Sequence, residues 1–433
     1  MTVRERALRL LMEQEARAGF ANLLLSDRVL AEAGEGSAFL TALFYGTVER
    51  RLTLDYFIGA LASRSPDELS AHTRCALRLG LYQLLFMDIP PHAAVGETVS
   101  LGESKGERGL LNAVLREAQR KRDSDSLPMP PKARAARYLS VKYSFPVSTV
   151  KRLFVLFGEQ TEALLASFNE VKPLSLNTRS ASVRDGLLSR FAEDGILAEK
   201  TPYAPYGIRV LSPVSPTALY GFKEGLFFVQ DEASAIAAAA LAPRRGDTVL
   251  DLCAAPGGKT FGAALYAEGE GRFMAFDLHE SKLSLIKSGA ERLGLSVETA
   301  RRDASVYDPA LGGIADRVIC DVPCSGLGVL GKKPDLRYRE VNEDLCALQY
   351  AILENASRYV KGGGVLLYST CTLTREENGD NVRRFLAEHP DFSAVDFALG
   401  EEERVESEDG MLTLLPHKHG TDGFFMAKLE KRS

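Results

Sequence analysis

The fold of this 433-residue chain is decided by the stretch TVLDLCAAPGGKT, residues 248–260. The largely apolar run over residues 248–252 is typical of a buried strand, and a helical pattern begins at Thr260. A turn of small residues lies between them, which lets a ligand approach the backbone N–H groups at the start of the helix. The stretch therefore predicts a ligand site at the carboxyl end of a strand in an α/β sheet.

Strand and helix patterns alternate from about residue 226 to the end of the chain. The predicted strands cover residues 248–252, 273–277, 297–300, 317–321, 364–369 and 424–429. The predicted helices cover residues 260–267, 280–293, 343–360 and 375–388. Such alternation indicates a doubly wound, largely parallel sheet with helices on both faces, which is a Rossmann-like α/β domain.

The first part of the chain has a different pattern. Residues 1 to about 122 carry apolar side chains at steps of three and four, with breaks at 34–36, 63–66 and 90–91, and predict helices only. A polar, proline-rich linker follows over residues 122–132. Beyond it, a helix over 147–169 and strands near 174–177 and 208–211 are predicted. We therefore expect an all-α domain over 1–125, a small middle α+β domain over 133–225 and the Rossmann-like domain over 226–433.

Composition and cysteine content exclude several classes of protein. With 45% hydrophobic and 26% charged residues, the chain is typical of a globular protein and not of a disordered, collagen-like or coiled-coil one. It has no apolar run near the roughly 20 residues that cross a bilayer and no secretory leader pattern, so we expect it in the cytoplasm. We also expect a monomer. Its six cysteines are too few for a disulfide scaffold, and the absence of any CxxC pair or Cys/His cluster predicts no metal site.

Two segments differ sharply in charge, although the net charge of the chain is only −5. Residues 105–152 hold twelve Lys and Arg against four Asp and Glu, whereas residues 391–409 hold eight Asp and Glu against one Arg. For the basic segment, binding of a polyanion and an ordinary solvated surface are equally good interpretations. For the acidic segment a solvated surface is favoured, and we expect it to face away from any nucleic acid.

The turn after the first strand does not match the two common nucleotide-binding loops. A phosphate-binding loop ending at residues 258–260 requires a glycine where the chain has Cys253, and neither Gly257 nor Gly258 completes a GxGxxG pattern. The next strand ends in Asp277, placed to accept both hydroxyls of a ribose, and the third leads to Asp303, placed to meet an adenine edge. Each Asp alone is typical of a loop cap, but their order at successive strand ends favours a cofactor. Ribose and adenine contacts without a pyrophosphate site predict S-adenosylmethionine.

Two thiols follow the next two strands. The fourth strand ends in Asp321 with Cys324 three residues later, and the fifth is followed by Cys371, so both thiols are expected to line the cofactor crevice. Cys320 and Cys346 are predicted to fill the core instead.

Thiols at this place suit chemistry on a pyrimidine ring. Carbon 5 of cytosine or uracil is a poor nucleophile until a group adds to carbon 6, and a thiolate is well suited to that addition. A second thiol can serve as the base that removes the proton from carbon 5. Asp321 can hydrogen-bond the ring nitrogen and amino edge of the base, which favours cytosine.

These motifs resemble the RNA 5-methylcytosine methyltransferases, and specifically the RsmB/Sun (Fmu) family that modifies small-subunit ribosomal RNA. The matching positions are residues 230–234, 251–260, Asp277, Asp303, 321–326, 333–335, 369–372, 376–378 and 422–425. The N-terminal helices resemble a NusB-like RNA-binding domain at residues 44–46, 50–52, 54–55 and 112–116.

The resemblance implies a role for each site residue. Cys371 is the expected nucleophile, and Cys324 is expected to assist breakdown of the covalent adduct. The residues expected to hold S-adenosylmethionine are Cys253, Ala254, Ala255, Pro256, Gly257, Gly258, Lys259, Asp277, Asp303 and Asp321. Similar enzymes acting on DNA place the nucleophile in the Pro-Cys motif, so the Thr-Cys pair formed with Cys371 favours RNA.

Two alternatives stay open on sequence alone. The substrate can be transfer RNA, which related enzymes use, although the NusB-like domain favours 16S ribosomal RNA. The chain can also be a non-catalytic RNA-binding assembly factor, although it carries both thiols and every expected carboxylate. Residues 331–338 depart from the pattern of relatives and the chain contains no Trp, so we expect its RNA-facing wall to differ.

Overall fold

The computed structural model describes residues 1–17, 24–25, 27–338, 344–400 and 403–433. The chain forms two compact units, one of Met1–Asn169 with Leu330–Glu340 and the other of Glu170–Val329 with Val341–Ser433. The first unit thus takes a short segment from the second half of the chain, and residues 133–225 are divided between the two units. The division into three domains stays a prediction.

The first unit is helical, as its apolar spacing predicts. Its helices are α1 (Val3–Arg17), α2 (Asp27–Ala33), α3 (Ser37–Glu49), α4 (Arg51–Ala62), α5 (Ala71–Phe86), α6 (Pro91–Ser100), α7 (Lys105–Asp123), α8 (Ala135–Tyr143), α9 (Val147–Phe157) and α10 (Thr161–Ser167). The hydroxyl of Ser70 caps α5 and that of Ser104 caps α7, each accepting from an N–H in the first turn. Ser63 ends α4 in a left-handed conformation, and Pro91 begins α6, so the predicted breaks at 63–66 and 90–91 are confirmed, whereas Gly34–Gly36 forms a short 3-10 helix between α2 and α3.

The segment Leu330–Tyr338, called the insert segment here, packs into the first unit. Its Arg337 side chain is fully buried and donates hydrogen bonds to the carbonyl oxygens of Leu330 (3.1 Å) and Phe168 (3.2 Å). The guanidinium also lies 4.1 Å from the centre of the Phe145 ring, and burial lowers the pKa of Arg337 to about 10.

The insert segment contributes to the core of the helical unit. Pro334 and Asp335 are buried together with Arg337, and the Tyr338 hydroxyl donates to the carbonyl oxygen of Val48 at 3.0 Å. The expectation that the RNA-facing wall differs from that of relatives stays a prediction.

The second unit is an α/β structure. Its strands are β1 (Leu174–Thr178), β2 (Ala198–Lys200), β3 (Gly207–Val210), β4 (Phe227–Val229), β5 (Asp247–Asp251), β6 (Gly271–Asp277), β7 (Val297–Arg301), β8 (Ala315–Asp321), β9 (Val360–Thr370), β10 (Phe392–Ala394), β11 (Ala398–Leu399), β12 (Val405–Glu406), β13 (Met411–Leu414) and β14 (Phe424–Lys431). Its helices are α11 (Ala181–Glu193), α12 (Glu232–Leu241), α13 (Gly258–Tyr266), α14 (Glu280–Leu293), α15 (Leu345–Ser357), α16 (Gly379–Glu388) and α17 (Pro416–His419).

The large sheet has the order β10-β14-β9-β8-β5-β6-β7, with β13 also paired to β14. Strands β5 to β9 pair in parallel, and β14 pairs antiparallel to β9. The doubly wound parallel sheet predicted from the alternation is therefore confirmed, with an antiparallel edge added. Strand order reverses at β5, so a crevice opens beyond the carboxyl ends of β5 and β8, where ligands bind in such sheets.

Successive residues of the central strands serve opposite faces of the sheet. Val318 and Cys320 of β8 join one buried cluster, whereas Ile319 between them joins the other. Cys320 is completely buried, as predicted. Cys346, near the start of α15, is only partly buried, so the prediction that it fills the core is wrong.

A second, antiparallel sheet has the order β2-β3-β1-β4. Sequence patterns predicted β1 and β3 but neither β2 nor β4, which have only three residues each. Within the described ranges, no helix is both long and apolar enough to cross a bilayer.

Candidate active site

The turn between β5 and α13 brings backbone to the crevice. Gly257 has a φ of +111°, in the left-handed region, and its N–H donates to the carbonyl oxygen of Ala254 at 2.7 Å. A Cβ on Gly257 would lie 2.4 Å from the Phe261 ring, so a side chain does not fit there. Burial and nearby carboxylates raise the pKa of Cys253, which keeps this thiol protonated in the turn.

Asp277, at the end of β6, is held against this turn. One carboxylate oxygen accepts from the N–H of Ala255 at 3.3 Å and the other from the N–H of His279 at 3.0 Å. The side chain is only 7% exposed, and Lys282 lies 3.7 Å away. Because a carboxylate offers about four acceptor positions, Asp277 is oriented and still has capacity for a ligand.

Asp303 lies beyond the end of β7, at a cavity of about 300 Å³. The cavity wall includes Leu252, Phe276 and Tyr307, so it is mostly apolar and borders the ends of β5, β6 and β7. Asp303 accepts from the N–H and the hydroxyl of Ser305, at 2.9 and 2.6 Å, and these hydrogen bonds lower the pKa of its carboxyl. Asp303 therefore caps its own loop and also lies at the edge of the cavity, so the two interpretations of this residue are compatible.

Asp251, the last residue of β5, is a buried carboxyl below the turn. One oxygen accepts from the Thr260 hydroxyl at 2.7 Å, and the other has no partner among the described residues. Burial, together with the charge of Asp321, raises the pKa of Asp251 to about 7 against the effect of Thr260 and Lys259.

Lys259 and Asp321 form an ion pair in the crevice. The ammonium of Lys259 donates to one oxygen of Asp321 at 2.8 Å, and the Ser369 hydroxyl donates to the other at 2.7 Å. Burial alone would lower the pKa of Lys259, but the charge of Asp321 outweighs it and the pKa is raised. Lys259 also interacts electrostatically with Cys371, so this cation belongs to the thiol site as well as to the turn.

The two thiols predicted at the strand ends lie side by side. The Sγ atoms of Cys324 and Cys371 are 3.3 Å apart, within sulfur hydrogen-bonding distance. The hydrogen bond with Cys371, burial, and the charge that Cys371 carries when ionised raise the pKa of Cys324 well above its usual range. Removal of one proton from the pair therefore makes removal of the second much harder.

The predicted site residues thus fall into three neighbouring groups. The turn over 253–259 meets Asp277, Lys259 and Asp321 meet the thiol pair, and Asp303 lies at the cavity. The sequence predicted Lys259 only as a cofactor-binding residue and did not predict its ion pair with Asp321. It also predicted no function for Glu377, which was noted only as one of the positions that resemble the methyltransferase family.

Part of the acidic segment lines a cleft. Glu406, Glu408 and Asp409 border a space of about 640 Å³ together with Leu373 and Thr374. The expectation that the segment faces away from nucleic acid stays a prediction.

Comparisons with known sequences match this chain to two protein families. Residues 238–430 match the family described as 16S rRNA methyltransferase RsmB/F, and residues 1–120 match the NusB family. The chain is 34% identical over 453 residues to the Probable ribosomal RNA small subunit methyltransferase B of Bacillus subtilis (strain 168), covering 100% of this chain and 99% of the relative. It is 36% identical over 411 residues to the protein of the same name from Synechocystis sp. (strain ATCC 27184 / PCC 6803 / Kazusa), covering 91% of each.

A solved structure is also similar to this chain over its whole length. The crystal structure of PH0851 matches with a TM-score of 0.79 and 27% identity, covering 100% of this chain and 99% of that one. The predicted resemblance is therefore confirmed over both the helical region and the α/β sheet. Because the chain is more than 30% identical to a relative over its full length and matches both families, it belongs to the ribosomal RNA small subunit methyltransferase B family.

Proposed function

We propose that this enzyme forms 5-methylcytosine in 16S ribosomal RNA, in the cytoplasm, with S-adenosylmethionine as methyl donor and Cys371 as nucleophile. The observation that carries the proposal is the 3.3 Å separation of the Cys324 and Cys371 Sγ atoms beside the Lys259–Asp321 ion pair. A pyrimidine carbon 5 needs activation by addition at carbon 6, and a paired thiol supplies a nucleophile for that step.

The residues around the crevice fit the methyl donor. Asp277 has acceptor positions left for ribose hydroxyls, and the 300 Å³ cavity offers apolar walls with Asp303 at its edge, which suits an adenine ring and its amino group. The backbone of residues 253–259 and the Asp321 carboxylate are assigned to the amino-acid part of the same molecule. When bound, S-adenosylmethionine supplies an electrophilic methyl group.

The thiol pair is suited to carry a single negative charge. Because a second ionisation is opposed by the first, the reactive form is a Cys371 thiolate that accepts a hydrogen bond from the Cys324 S–H. Lys259 stabilises this charge through its electrostatic interaction with Cys371. The thiolate then forms an Sγ–carbon 6 bond, and the ring electron pair makes carbon 5 nucleophilic.

Bond formation at Cys371 also prepares Cys324 for its own step. Once the Cys371 sulfur is bonded to carbon, it no longer carries charge, so two of the causes that raise the pKa of Cys324, the hydrogen bond to Cys371 and the charge of Cys371, are removed. Cys324 can then lose its proton to solvent and, as a thiolate, accept the proton that leaves carbon 5 after methylation. The electron pair of that C–H bond restores the ring double bond and expels the Cys371 thiolate.

Asp321 is assigned to the edge of the base. Its carboxylate, oriented by Lys259 and Ser369, can accept a hydrogen bond from the amino group of cytosine, whereas uracil presents an acceptor at that position. The adjacent Lys259 cation stabilises the negative charge that develops on the ring during addition. The target base must be unpaired or turned out of its stack to reach these groups.

Single replacements of the two thiols test the mechanism. Cys371→Ala should reduce methyl transfer to background and form no adduct, because no sulfur reaches carbon 6. Cys324→Ala should instead accumulate a protein–RNA adduct that survives a denaturing gel. Cys346→Ala, which removes a partly buried thiol near the start of α15, is the matched control and should keep wild-type turnover. Full turnover of the Cys371 variant would disprove the proposed nucleophile.

The substrate is tested separately from the mechanism. Bisulfite mapping of ribosomal and transfer RNA from cells lacking this protein should reveal the loss of one 5-methylcytosine in 16S ribosomal RNA, restored by the wild-type gene and not by Cys371→Ala. Loss of a mark in transfer RNA alone would assign the enzyme to that substrate instead.

A further inference from the structure

The two thiol loops extend beyond the part of the sheet that aligns them. The ladder between β8 and β9 ends at the pair Asp321 and Ser369, with one more hydrogen bond from the Val322 N–H to Ser369. Residues 323–326, the Cys324 loop, and residues 371–374, the Cys371 loop, follow those strand ends. Contacts other than the ladder must therefore set the distance between the two sulfur atoms.

One buried carboxylate contacts both loops, in addition to a backbone hydrogen bond from the Gly328 N–H to the Cys371 carbonyl oxygen at 2.9 Å. Glu377 is 2% exposed, and its oxygens accept from the N–H and the hydroxyl of Ser325 in the Cys324 loop, at 2.8 and 2.5 Å. They also accept from the hydroxyl of Thr374 in the Cys371 loop, at 2.8 Å. Gln349 completes the set by donating to Glu377 and to the carbonyl oxygen of Pro323, both at 2.9 Å.

We propose that Glu377 is a positioning residue that fixes the Cys324 loop against the Cys371 loop and so sets the separation of the two thiols. Ser325 and Thr372, which directly follow the two cysteines, are also linked to each other through their hydroxyls at 2.7 Å. The catalytic consequence of this role rests on the proposed function, whereas the geometric role does not.

The charge state of Glu377 fits this assignment. Burial alone would raise the pKa of Glu377, but the hydrogen bonds from Ser325, Gln349 and Thr374 outweigh it and lower the pKa, so the side chain is an anion that only accepts. An anion with several donors from both loops is a strong connector, because hydrogen bonds to a charged acceptor are stronger than neutral ones.

Two substitutions separate the connection from the charge. In Glu377→Gln, the amide oxygen can still accept from the Ser325 N–H and Gln349, and the amide NH₂ can donate to the Ser325 and Thr374 hydroxyls, which can turn to accept. In Glu377→Ala the same charge is lost and the connection is lost with it. The glutamine variant should therefore rescue what the alanine variant loses.

The separation of the thiols can be measured without RNA. Diamide takes two electrons and two protons from Cys324 and Cys371 and is reduced to its hydrazine, while an S–S bond of about 2.05 Å forms between them. Peptide mapping of the wild-type protein should show this disulfide forming fast. We expect Glu377→Ala to slow its formation about tenfold or more, and Glu377→Gln and Asp380→Ala to stay near the wild-type rate. Asp380 is a matched control because its carboxylate is exposed near the start of α16.

Kinetics then test the consequence for catalysis. Glu377→Ala should lower kcat about 10- to 100-fold with the KM for S-adenosylmethionine unchanged, and Glu377→Gln should recover most of the loss. If the alanine variant does not fold, Ser325→Ala, which removes only the hydroxyl contacts, should show a smaller loss of both cross-linking rate and kcat.

The outcomes distinguish this inference from the proposed function. Equal disulfide rates in folded wild-type, alanine and glutamine variants would overturn the positioning role even if Cys371→Ala abolishes methyl transfer. Slow cross-linking in the alanine variant supports the positioning role even if the thiols were to act in another reaction.

Discussion

The buried carboxyl of Asp251 makes a quantitative prediction about stability and pH. Its pKa is raised to about 7 in the folded protein, against about 3.9 for an unfolded Asp. The folded state therefore binds the Asp251 proton more tightly than the unfolded state does. The contribution of this proton to the free energy of unfolding is complete below pH about 4 and is lost as pH rises towards 7. Three pKa units correspond to about 4 kcal/mol. Asp251→Asn keeps an oxygen for the Thr260 hydroxyl and carries no charge.

We expect Asp251→Asn to stabilise the α/β unit at pH 8 by up to about 4 kcal/mol, or roughly 8–16 °C in melting temperature, without cofactor. The gain should shrink as pH falls and disappear near pH 4, as measured by thermal unfolding across that range. Asp316→Asn is a control of opposite sign, because Lys361 and the Thr248 N–H outweigh burial and lower the pKa of Asp316. It should lose stability at pH 8 and less at acid pH. A difference between Asp251→Asn and wild type that does not change with pH would refute the reasoning.

The other predictions concern the cofactor turn, the ribose carboxylate and the insert segment. Asp277→Ala should weaken binding of S-adenosylmethionine tenfold or more by calorimetry, since hydrogen bonds to a charged group contribute about 1.5–3 kcal/mol, and unchanged affinity would exclude the ribose contact. Gly257→Ala should weaken the same binding and lower the melting temperature, because the left-handed backbone and the contact with Phe261 strain it by about 1–3 kcal/mol; a variant with wild-type affinity would contradict the close approach. Arg337→Ala should destabilise the helical unit by about 3 kcal/mol in denaturant unfolding because it empties a buried site and leaves carbonyl groups unpaired, and an unchanged midpoint would contradict its burial.

Local sequence patterns were sufficient to predict most helices and strands of the α/β sheet. Helix Glu280–Leu293 was predicted to the residue, and the central strands were predicted within a few residues, because alternation of buried side chains is a local signal. The predicted helix over 375–388 begins only at Gly379 in the structure. Residues before it form a loop in which Glu377 points into the core, and no periodic pattern reports such a turn.

Contacts between distant residues were beyond sequence reasoning. Cys324 and Cys371 follow consecutive strands of a parallel sheet, which indicated that they meet, and their sulfur atoms are adjacent in the structure. The connection through Glu377 depends on residues from three separate segments of the chain, so spacing alone gives no sign of it. The burial of the insert segment was not predicted for the same reason, since two of the partners of Arg337, Glu49 and Phe168, lie more than a hundred residues away in sequence.

The insert segment also has a consequence for the order of folding during synthesis. The helical unit spans residues 1–169 but takes part of its core from Leu330–Tyr338. A chain that grows at about 5–20 residues per second needs roughly 10–30 s to reach that segment after residue 169 has been made. During that interval the nascent N-terminal helices lack Arg337 and Tyr338, so their final packing waits until most of the catalytic sequence has left the translating ribosome.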